Sequence, residues 1–302
     1  MDAHGLLAEC VVNLSEGRDP RTIAAVAASA GPALIDRHTD AEHNRSVLTL
    51  AGSLTSVEAA VRAVAVATVD LVDLTHHAGA HPRLGSLDVV PFVALAPRGS
   101  GGASAAAVGA VLEARDRFAG WAADRLELPC FLYGPERSLP DVRRTAFRTL
   151  APSTGPARPH PTAGAAAVGV RPPLVAYNVW IGPPPTADAS AGRSAALAAA
   201  RAVATGVRGP GVRSLGLAVG PGAQVSLNLI DTAVAPPDLV YDRVVEGVAA
   251  LGCPVLRAEL VGLIPADVLE SVPQHRWAEL DLAEDRTIEA RLGRPEGSGP
   301  GR

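Results

Sequence analysis

The 302-residue sequence contains no lysine, so all 27 of its basic residues are arginines. Without a lysine amine the chain cannot form a Schiff base with a carbonyl substrate or anchor pyridoxal phosphate, and it lacks the lysine of a phosphate-binding loop. Arginine remains, and its planar guanidinium binds carboxylates through paired hydrogen bonds. The composition therefore favours chemistry built on histidine, arginine and carboxylates.

Aromatic residues are also scarce, at 3% of the chain, and the formal net charge is only −4. Nucleic-acid binding usually needs a basic face and aromatic side chains for base stacking, so we expect no nucleic-acid partner. The three cysteines, Cys10, Cys130 and Cys253, lie in separate apolar stretches, which predicts small core residues and neither a zinc site nor a disulfide framework. The sequence shows no secretory signal and no apolar run typical of a membrane span, so we expect a cytoplasmic protein without a membrane partner.

The spacing of apolar residues predicts a regular alternation of strands and helices. Asp19 as N-cap, Pro20 at the first helical position and Gly31 as a stop define the first helix, and Thr55 or Ser56 is the expected cap of the second. The first half of the chain has the order βαββαβ, followed by one more helix and strand. The same βαββαβ order recurs after a stretch rich in proline and glycine.

This order is typical of the ferredoxin-like fold. We therefore predict an α+β protein with two ferredoxin-like (βαββαβ) subdomains in tandem. The first subdomain is expected over residues 1–181 and the second over 182–290, with a disordered tail over 291–302.

The segment "HHAGAHPR" places three histidines, His76, His77 and His81, within six positions between a predicted helix and a predicted strand. His77 and His81 have the four-residue spacing of two zinc ligands on a helix, but Gly79 and Pro82 disfavour a helix there. No glutamate stands beside the first histidine of that pair, so we expect no metal. A metal-dependent hydrolase using the three histidines and a plain solvated turn are the alternatives.

Polar residues also follow other predicted strands, in the segments "NLSEG" and "DAEHNRS". Polar side chains at several strand ends can converge on one cleft of an α/β sheet. A histidine in such a cleft is the usual proton carrier. The histidine segment is therefore a candidate catalytic loop.

These residues carry a family resemblance that covers nearly the whole chain. The sequence is similar to glutamate formiminotransferases in seven blocks that occur in the family's order, namely "ECVVNLSEGRD", "LIDRHTDAEHNRSVLTLAG", "HHAGAHPRLGSLDVVPFVAL", "FLYG...RRT", "GPARPHPTAGAAAVGVRPPLVAYNV", "AQVSLNLID" and "AELVGLIP". The resemblance implies two ferredoxin-like subdomains and transfer of a formimino group from N-formimino-L-glutamate to N5 of tetrahydrofolate, the co-substrate, in histidine degradation. It also implies that His81 matches the family's catalytic histidine.

That reaction assigns expected roles to other residues. One histidine can take the proton from N5 and return it to the departing glutamate nitrogen. A carboxylate helps to stabilise a protonated formimino group, and Asp40 and Glu16 are the candidates, with Asp40 as the catalytic one. Both substrates carry carboxylates, for which Arg45 and Arg83 are the candidate partners.

Tetrahydrofolate needs hydrogen bonds to its flat pterin ring, and Asn13, Asn178 and Gln224 are the candidate amides. The stretch from Gly155 to Gly169 matches the family's folate-binding segment in length, and its composition fits an ordinary linker equally well. The folate-binding candidates in this stretch are Gly155, Pro156, Pro161, Gly164 and Gly169.

Several candidates have a structural interpretation as well. Asn13 fits a turn cap, Asp40 a hairpin-turn residue and Arg45 a solvated strand end. Arg83 fits an ion pair with Asp88.

Three departures from the family pattern bear on the function. A gap-free match places His38 where the family has an Asp close to the catalytic histidine, and a small shift brings Asp40 into that role. This shift and the shortened segment after Leu150 keep a second function open. The segment after Leu150 is reduced to "APST", and the folate segment has "PTAG" without an aromatic residue. A non-catalytic descendant that binds folate or a partner protein is therefore the alternative, and the donor is formiminoglutamate or a related formimino-amino acid. The resemblance further suggests a homodimer and a separate cyclodeaminase that acts on the product.

Overall fold

A computed structural model of the chain describes residues 5–185 and 188–294. The chain divides into two compact units, of which the first ends at Pro172 and the second extends over Pro173–Gly293. Each unit has its own β-sheet and its own hydrophobic core.

The first unit contains a six-stranded sheet and four α-helices among its described residues. In chain order the elements are β1 (Leu7–Leu14), α1 (Pro20–Ser29), β2 (Leu34–Asp40), β3 (Arg45–Ser53), α2 (Leu54–Leu71), β4 (Leu87–Ala94), α3 (Ala105–Leu126), β5 (Cys130–Tyr133), α4 (Leu139–Thr145) and β6 (Ala166–Val170). The strand order is β2-β3-β1-β4-β6-β5. The first four strands are antiparallel neighbours in a βαββαβ arrangement, which confirms the ferredoxin-like prediction.

Local capping explains where the first helices begin. The side chain of Asp19 accepts hydrogen bonds from the backbone N–H groups of Arg21 and Thr22, as the sequence predicts for α1. The predicted cap of α2 is wrong by two or three residues. Ser53 holds that position and accepts from the N–H of Ser56, which leaves Ser56 inside the first helical turn.

The core of the first unit is built largely from small aliphatic side chains on the inner face of the sheet and on α1, α2 and α3. Cys10, Cys130 and Cys253 are buried free thiols, which confirms that they are core residues. Burial raises the pKa of Cys130 to about 12, so its thiol stays protonated. Within the described part of the chain, no helix combines the length and apolar character needed to cross a membrane.

Strand β6 is a feature that the sequence analysis missed. It lies between β4 and β5, parallel to both, and all five of its residues are buried. Its sequence "AAVGV" is rich in alanine and glycine, which have low strand propensity, so the segment resembles the end of a linker. Gly169 allows the aromatic ring of Tyr133 to approach the strand, because a Cβ at Gly169 would lie 2.3 Å from that ring.

The second unit repeats the βαββαβ order in a four-stranded antiparallel sheet with strand order β10-β7-β9-β8. Its elements are β7 (Val175–Ile181), α5 (Ala189–Gly206), β8 (Val212–Val219), β9 (Gly222–Leu229), α6 (Pro237–Ala250), β10 (Val255–Val261), α7 (Ala266–Ser271) and α8 (Ile288–Leu292). The second ferredoxin-like subdomain predicted from sequence is thus present.

The boundaries differ from those expected at 181/182 and at 291. Strand β7 pairs with β9 and β10, so the second unit already begins at Pro173. Arg291 and Leu292 belong to α8, and the side chain of Arg291 donates to the backbone oxygen of Asp285 at 2.6 Å. The rest of the predicted disordered tail, from residue 295 onward, lies outside the described residues.

Two glycine substitutions test this account of the fold in opposite directions. Gly169→Ala is expected to destabilise the protein by about 1–3 kcal/mol, because the added methyl group collides with the Tyr133 ring. Gly120→Ala, in the interior of α3, is expected to stabilise it by about 0.5–1 kcal/mol, because the added methyl group meets open space. Urea unfolding measures both values, and a neutral or stabilising Gly169→Ala would contradict the packing described for β6.

Candidate active site at one edge of the first sheet

Polar side chains from four strands meet at one edge of the first sheet. Strands β1 and β2 end there and β3 and β4 begin there, because the neighbouring strands are antiparallel. Asp40, the last residue of β2, pairs in register with Arg45, the first residue of β3. Asp88 is the second residue of β4, and Asn13 lies near the end of β1. The convergence of polar strand ends expected from the sequence is therefore present.

Asp88 is the most buried charged group at this edge, with a fully inaccessible side chain. Its carboxylate accepts from Arg45 Nη1 at 2.5 Å and from Arg143 Nη2 at 2.7 Å. It also accepts from the backbone N–H of Leu84 at 2.7 Å. Burial alone would raise the pKa of Asp88, but Arg45 and Arg143 outweigh it and hold the pKa well below its ordinary value. Asp88 is therefore a permanent anion paired with two cations.

His81 lies half-buried beside this ion cluster. Its Nδ1 is 2.7 Å from the backbone oxygen of Pro82 and 3.3 Å from Arg45 Nη1. A carbonyl oxygen only accepts hydrogen bonds, so the shorter contact places a proton on Nδ1. The remaining nitrogen, Nε2, then carries the lone pair and is the basic atom of the ring.

The surroundings keep the His81 ring neutral. Burial, followed by the positive charge of Arg45, lowers the pKa of His81 to about 3, and Arg143 acts in the same direction. Asp88 opposes this shift without cancelling it. At neutral pH the ring is therefore a proton acceptor at Nε2.

Arg83 stabilises the histidine loop and makes no hydrogen bond to Asp88. Its Nη2 donates to the backbone oxygen of His81 at 2.7 Å, and its Nη1 contacts Nδ1 of His77. The ion pair with Asp88 that the sequence suggested for Arg83 is made by Arg45 and Arg143 instead. Arg83 is thus placed to shape the loop around His81.

The side chain of His43 lies between Asp40 and His81. Its Oδ1 accepts from the backbone N–H of His43 at 2.8 Å, and its Oδ2 is 3.6 Å from Nδ1 of His43. The ring centroids of His43 and His81 are 5.9 Å apart. Asp40 therefore contacts the neighbour of His81 and makes no hydrogen bond to His81 itself.

Asn44, at the β2–β3 turn, connects the loops around the site. It is buried, and its backbone is left-handed with φ 49°, which asparagine tolerates better than most residues. Its Oδ1 accepts from the N–H of Gly17 at 2.9 Å, and its Nδ2 donates to the backbone oxygen of Ala78 at 3.0 Å. The histidine loop can approach the β2–β3 turn this closely because Gly79 has no side chain. A Cβ at Gly79 would lie 2.3 Å from the backbone oxygen of His43.

Two predicted binding residues make local contacts. Glu16 Oε1 accepts from the backbone N–H groups of Arg18 and Asp19, at 2.7 and 2.9 Å, in the turn before α1. Asn13 donates through Nδ2 to the backbone oxygen of Val11 at 2.9 Å. In this structure both side chains thus support the end of β1 and the turn that follows it.

The C-terminal end of the glycine- and proline-rich stretch borders the end of the histidine loop that precedes β4. Gly164, with φ 71°, approaches Leu84 so closely that a Cβ would lie 2.5 Å from the Leu84 oxygen. Backbone bonds join Ser86 to Ala163 and Leu84 to Ala165, at 2.9 and 3.1 Å. Farther up the stretch Gly155, Pro156 and Pro161 are exposed, and downstream Gly169 belongs to β6.

Asn178 and Gln224 lie in the second unit and share a carboxylate, Glu259 on β10. Glu259 Oε2 accepts from Asn178 Nδ2 at 3.0 Å, from Trp180 Nε1 at 2.9 Å and from Gln224 Nε2 at 3.5 Å. The guanidinium of Arg257 lies 4.3 Å over the Trp180 ring. Gln224 Oε1 is buried and has no hydrogen-bond partner among the described residues.

Arg143 and Asn44 are two site residues that no sequence pattern distinguishes. Arg143 lies within the family-like block "FLYG...RRT" and Asn44 within the turn "DAEHNRS", so both segments were visible while these two residues were not distinguished. The described ranges contain no group of three histidine, cysteine, aspartate or glutamate side chains arranged to hold a metal ion. Arginines contact both His77 and His81, and these positive charges disfavour a bound cation there.

Comparison with known proteins extends these observations. Residues 7–171 match the family described as formiminotransferase domain, N-terminal subdomain, and residues 195–290 match the formiminotransferase domain. The chain is 30% identical over 295 residues to a glutamate formimidoyltransferase of Streptococcus pyogenes, an alignment that covers 89% of this chain and 92% of the relative. It is also 30% identical over 310 residues to a glutamate formimidoyltransferase of Thermoplasma acidophilum, covering 95% and 97% of the two chains.

A third relative is longer. The chain is 32% identical over 286 residues to the formimidoyltransferase-cyclodeaminase of Gallus gallus, which covers 86% of this chain and 50% of that protein. The similarity to this relative thus spans about half of its length.

Substitutions of Asn44 test its role in holding the loops together. Asn44→Gly keeps the left-handed backbone and removes both side-chain bonds, so we expect a loss of about 1–3 kcal/mol in the free energy of unfolding. Asn44→Asp keeps the acceptor for Gly17 but sets a carboxylate oxygen against the Ala78 oxygen in a buried position, so at least as large a loss is expected. Urea unfolding of both variants measures the losses, and a wild-type stability in Asn44→Gly would argue against the bridge.

The neutral state of His81 is testable by proton NMR. Because the pKa of His81 lies near 3, its ring C–H resonance is expected to stay constant from about pH 8 to about pH 5, since protonation begins only well below that range. The resonance is assigned by its absence in His81→Ala. A titration midpoint between about pH 6 and pH 7 would show that burial and the nearby arginines do not lower the pKa of His81.

Proposed function

The chain belongs to the formiminotransferase family and is a transferase of formimino groups, and from this premise we propose its substrates and its proton carrier. The proposed donor is N-formimino-L-glutamate, the proposed acceptor is N5 of tetrahydrofolate, and His81 is the proposed general acid and base. The observation that carries the role of His81 is its neutral ring, with Nδ1–H directed to the Pro82 oxygen and Nε2 left basic.

The proposed reaction needs one group that both accepts and returns a proton. As N5 of tetrahydrofolate attacks the formimino carbon, the new C–N bond forms and N5 must lose its proton to Nε2 of His81. The bond between the formimino carbon and the glutamate nitrogen then breaks, and His81 returns the proton to that nitrogen. A histidine that is neutral before the reaction suits the first step, and its imidazolium suits the second.

Arginines beside His81 favour the binding of anionic substrates. Arg45 donates through Nη1 to Asp88 and makes no hydrogen bond to the protonated Nδ1 of His81, 3.3 Å away. Its Nε and Nη2 make no hydrogen bond to other described residues. These N–H groups can bind a substrate carboxylate in the paired geometry typical of guanidinium. An anion bound there also offsets the positive charge that lowers the pKa of His81, which makes the ring a stronger base once the substrate is bound. Arg83 is proposed as a second carboxylate partner.

Asp40 and Glu16 are proposed to act on the cationic formimino group. Asp40 contributes through the side chain of His43, which separates it from His81. Glu16 would first have to release the two backbone N–H groups that it now accepts. Asp40 is therefore the better supported of the two carboxylates.

Tetrahydrofolate binding is proposed for the glycine- and proline-rich stretch of the first unit and, separately, for two amide groups of the second unit. The proposed role of the stretch is supported by the backbone hydrogen bonds that join its C-terminal end to the histidine loop. Its proposed ligand-binding residues are Gly155, Pro156, Pro161, Gly164 and Gly169, together with Asn13.

Asn178 and Gln224 are proposed to bind the pterin ring. Glu259 orients the Gln224 amide, because a carboxylate only accepts hydrogen bonds and therefore faces the donor Nε2 and not the acceptor Oε1. This leaves the buried Oε1 without a donor among the described residues, and buried polar atoms normally have one. The N–H edge of a pterin ring supplies such a donor.

A transfer assay tests the proposed reaction. Purified protein is incubated with tetrahydrofolate and formiminoglutamate, and acid then converts any 5-formiminotetrahydrofolate to the ultraviolet-absorbing methenyl form. His81→Ala is expected to lower kcat about a hundredfold or more, because the proton carrier is lost. His76→Ala, an exposed residue of the same loop, is the matched control and is expected to retain the wild-type rate.

The outcomes separate the alternatives. A wild-type rate in His81→Ala would exclude His81 as the proton carrier. Tight tetrahydrofolate binding without any transfer by the wild-type protein would favour a non-catalytic descendant. Transfer from another formimino-amino acid at a higher kcat/KM would change the proposed donor.

A substitution in the second unit tests the pterin site. Gln224→Leu preserves approximate volume and removes both amide groups, so we expect the Kd for tetrahydrofolate to rise about tenfold. Asn228→Ala, an exposed residue on the same strand, is the matched control and is expected to leave the Kd unchanged. Quenching of tryptophan fluorescence measures binding, with Trp180→Phe identifying the contribution of Trp180. An unchanged Kd in Gln224→Leu would remove Gln224 from the site.

A further inference from the structure

Arg143 connects two groups that determine the state of His81. It lies on the short helix α4, and its Nη2 donates to Asp88 Oδ2 at 2.7 Å. Its Nη1 donates to the backbone oxygen of Pro82 at 3.0 Å. That same oxygen accepts from Nδ1 of His81 at 2.7 Å. One guanidinium therefore contacts both the buried anion and the carbonyl that selects the histidine tautomer.

The two contacts require the shape of arginine. A planar guanidinium presents several N–H groups at fixed angles, so it can contact two acceptors at once without rotating away from either. The Arg143 side chain is 20% exposed and that of Asp88 is inaccessible, so water competes little for the inner contact. A lysine ammonium at this position would keep the charge but would not hold the two acceptors in one plane.

We propose that Arg143 is a positioning residue, which holds the Pro82 oxygen and Asp88 so that His81 keeps its proton on Nδ1 and presents an unprotonated Nε2 to the substrate. The proposal rests on the proposed role of His81 as proton carrier. It assigns Arg143 no contact with substrate.

The charges around His81 determine what the loss of Arg143 should do. Titratable and charged groups face His81 from its own loop and from four other segments. These groups are Arg83 and His77 in the loop, Arg45 on β3, Asp88 on β4, Arg143 on α4, and Asp40 with His43 at the β2–β3 turn. Removing Arg143 makes this environment more negative by one charge. The protonated ring is then less disfavoured, so the pKa of His81 rises.

Three variants separate position from charge. Arg143→Lys keeps the charge and loses the planar fork, and we expect kcat to fall about 10- to 100-fold with KM for both substrates nearly unchanged. Arg143→Ala is expected to lose at least as much, with partial recovery of kcat when guanidinium is added to fill the vacated position. Arg144→Ala is the matched control, because Arg144 is the exposed neighbour on α4 and, among the described residues, pairs only with Asp141.

Nitrogen NMR of the His81 ring supplies a readout that a purely structural role would not change. The wild-type ring is expected as the single Nδ1–H tautomer at neutral pH, and Arg143→Lys is expected to show a mixture of both tautomers. In Arg143→Ala the pKa of His81 is expected to rise by about one unit, whereas Arg143→Lys moves it less.

The results that would overturn the proposal are specific. A wild-type kcat in Arg143→Lys, or an unchanged tautomer in both Arg143 variants, would exclude the positioning role. If Arg143→Ala does not fold, Arg143→Lys decides alone through its kcat and its tautomer. Failure of the proposed reaction itself would be visible separately, as a wild-type protein without His81-dependent transfer.

Discussion

Asp88 is a fully buried carboxylate at the start of β4, and the arrangement of the whole edge depends on how its charge is compensated. An ionised group out of contact with water is tolerated only when it is paired and hydrogen-bonded. Arg45 from β3, Arg143 from α4 and the N–H of Leu84 provide this compensation. The pairing joins a strand, a helix and the histidine loop at one point, so movement of any one of the three removes a hydrogen bond from a buried charge.

The same pairing shapes the chemistry of His81. Two arginines around one carboxylate leave a net positive charge, and together with burial this charge keeps the ring neutral. A neutral ring whose Nδ1–H is held by the Pro82 oxygen has its lone pair on Nε2. Positive charge that weakens the base also attracts anionic substrates, and a bound carboxylate reverses part of the effect. Substrate binding and proton transfer are thereby coupled through the electrostatics of one cluster.

Small residues make the close approach of these segments feasible. The core of the first unit is built largely from alanine, valine and leucine, and glycines stand where backbones meet. A Cβ at Gly17 would lie 2.2 Å from the Asp40 oxygen, and one at Gly85 would lie 2.1 Å from the Ala165 oxygen. Asn44 then fills the remaining gap with an amide that serves one donor and one acceptor. Close backbone contacts therefore bring the segments together, and the side chains of Asn44 and of the Asp88 cluster join them.

Local patterns in the sequence determined most of the elements, because helix periodicity, strand runs and caps such as Asp19 act over a few residues. The βαββαβ order and the two subdomains could be predicted in this way, whereas His81 and Arg45 became candidates through the resemblance to the family. Strand β6 could not be predicted, because its alanines and glycine become a strand only between β4 and β5. Nor could the partner of Asp88 be chosen among 27 arginines, since Arg143 lies 55 residues away along the chain. Composition and spacing specify which chemistry is available, whereas the pairing of buried charges across distant segments is decided by tertiary structure alone, because only there does the cost of an unpaired charge arise.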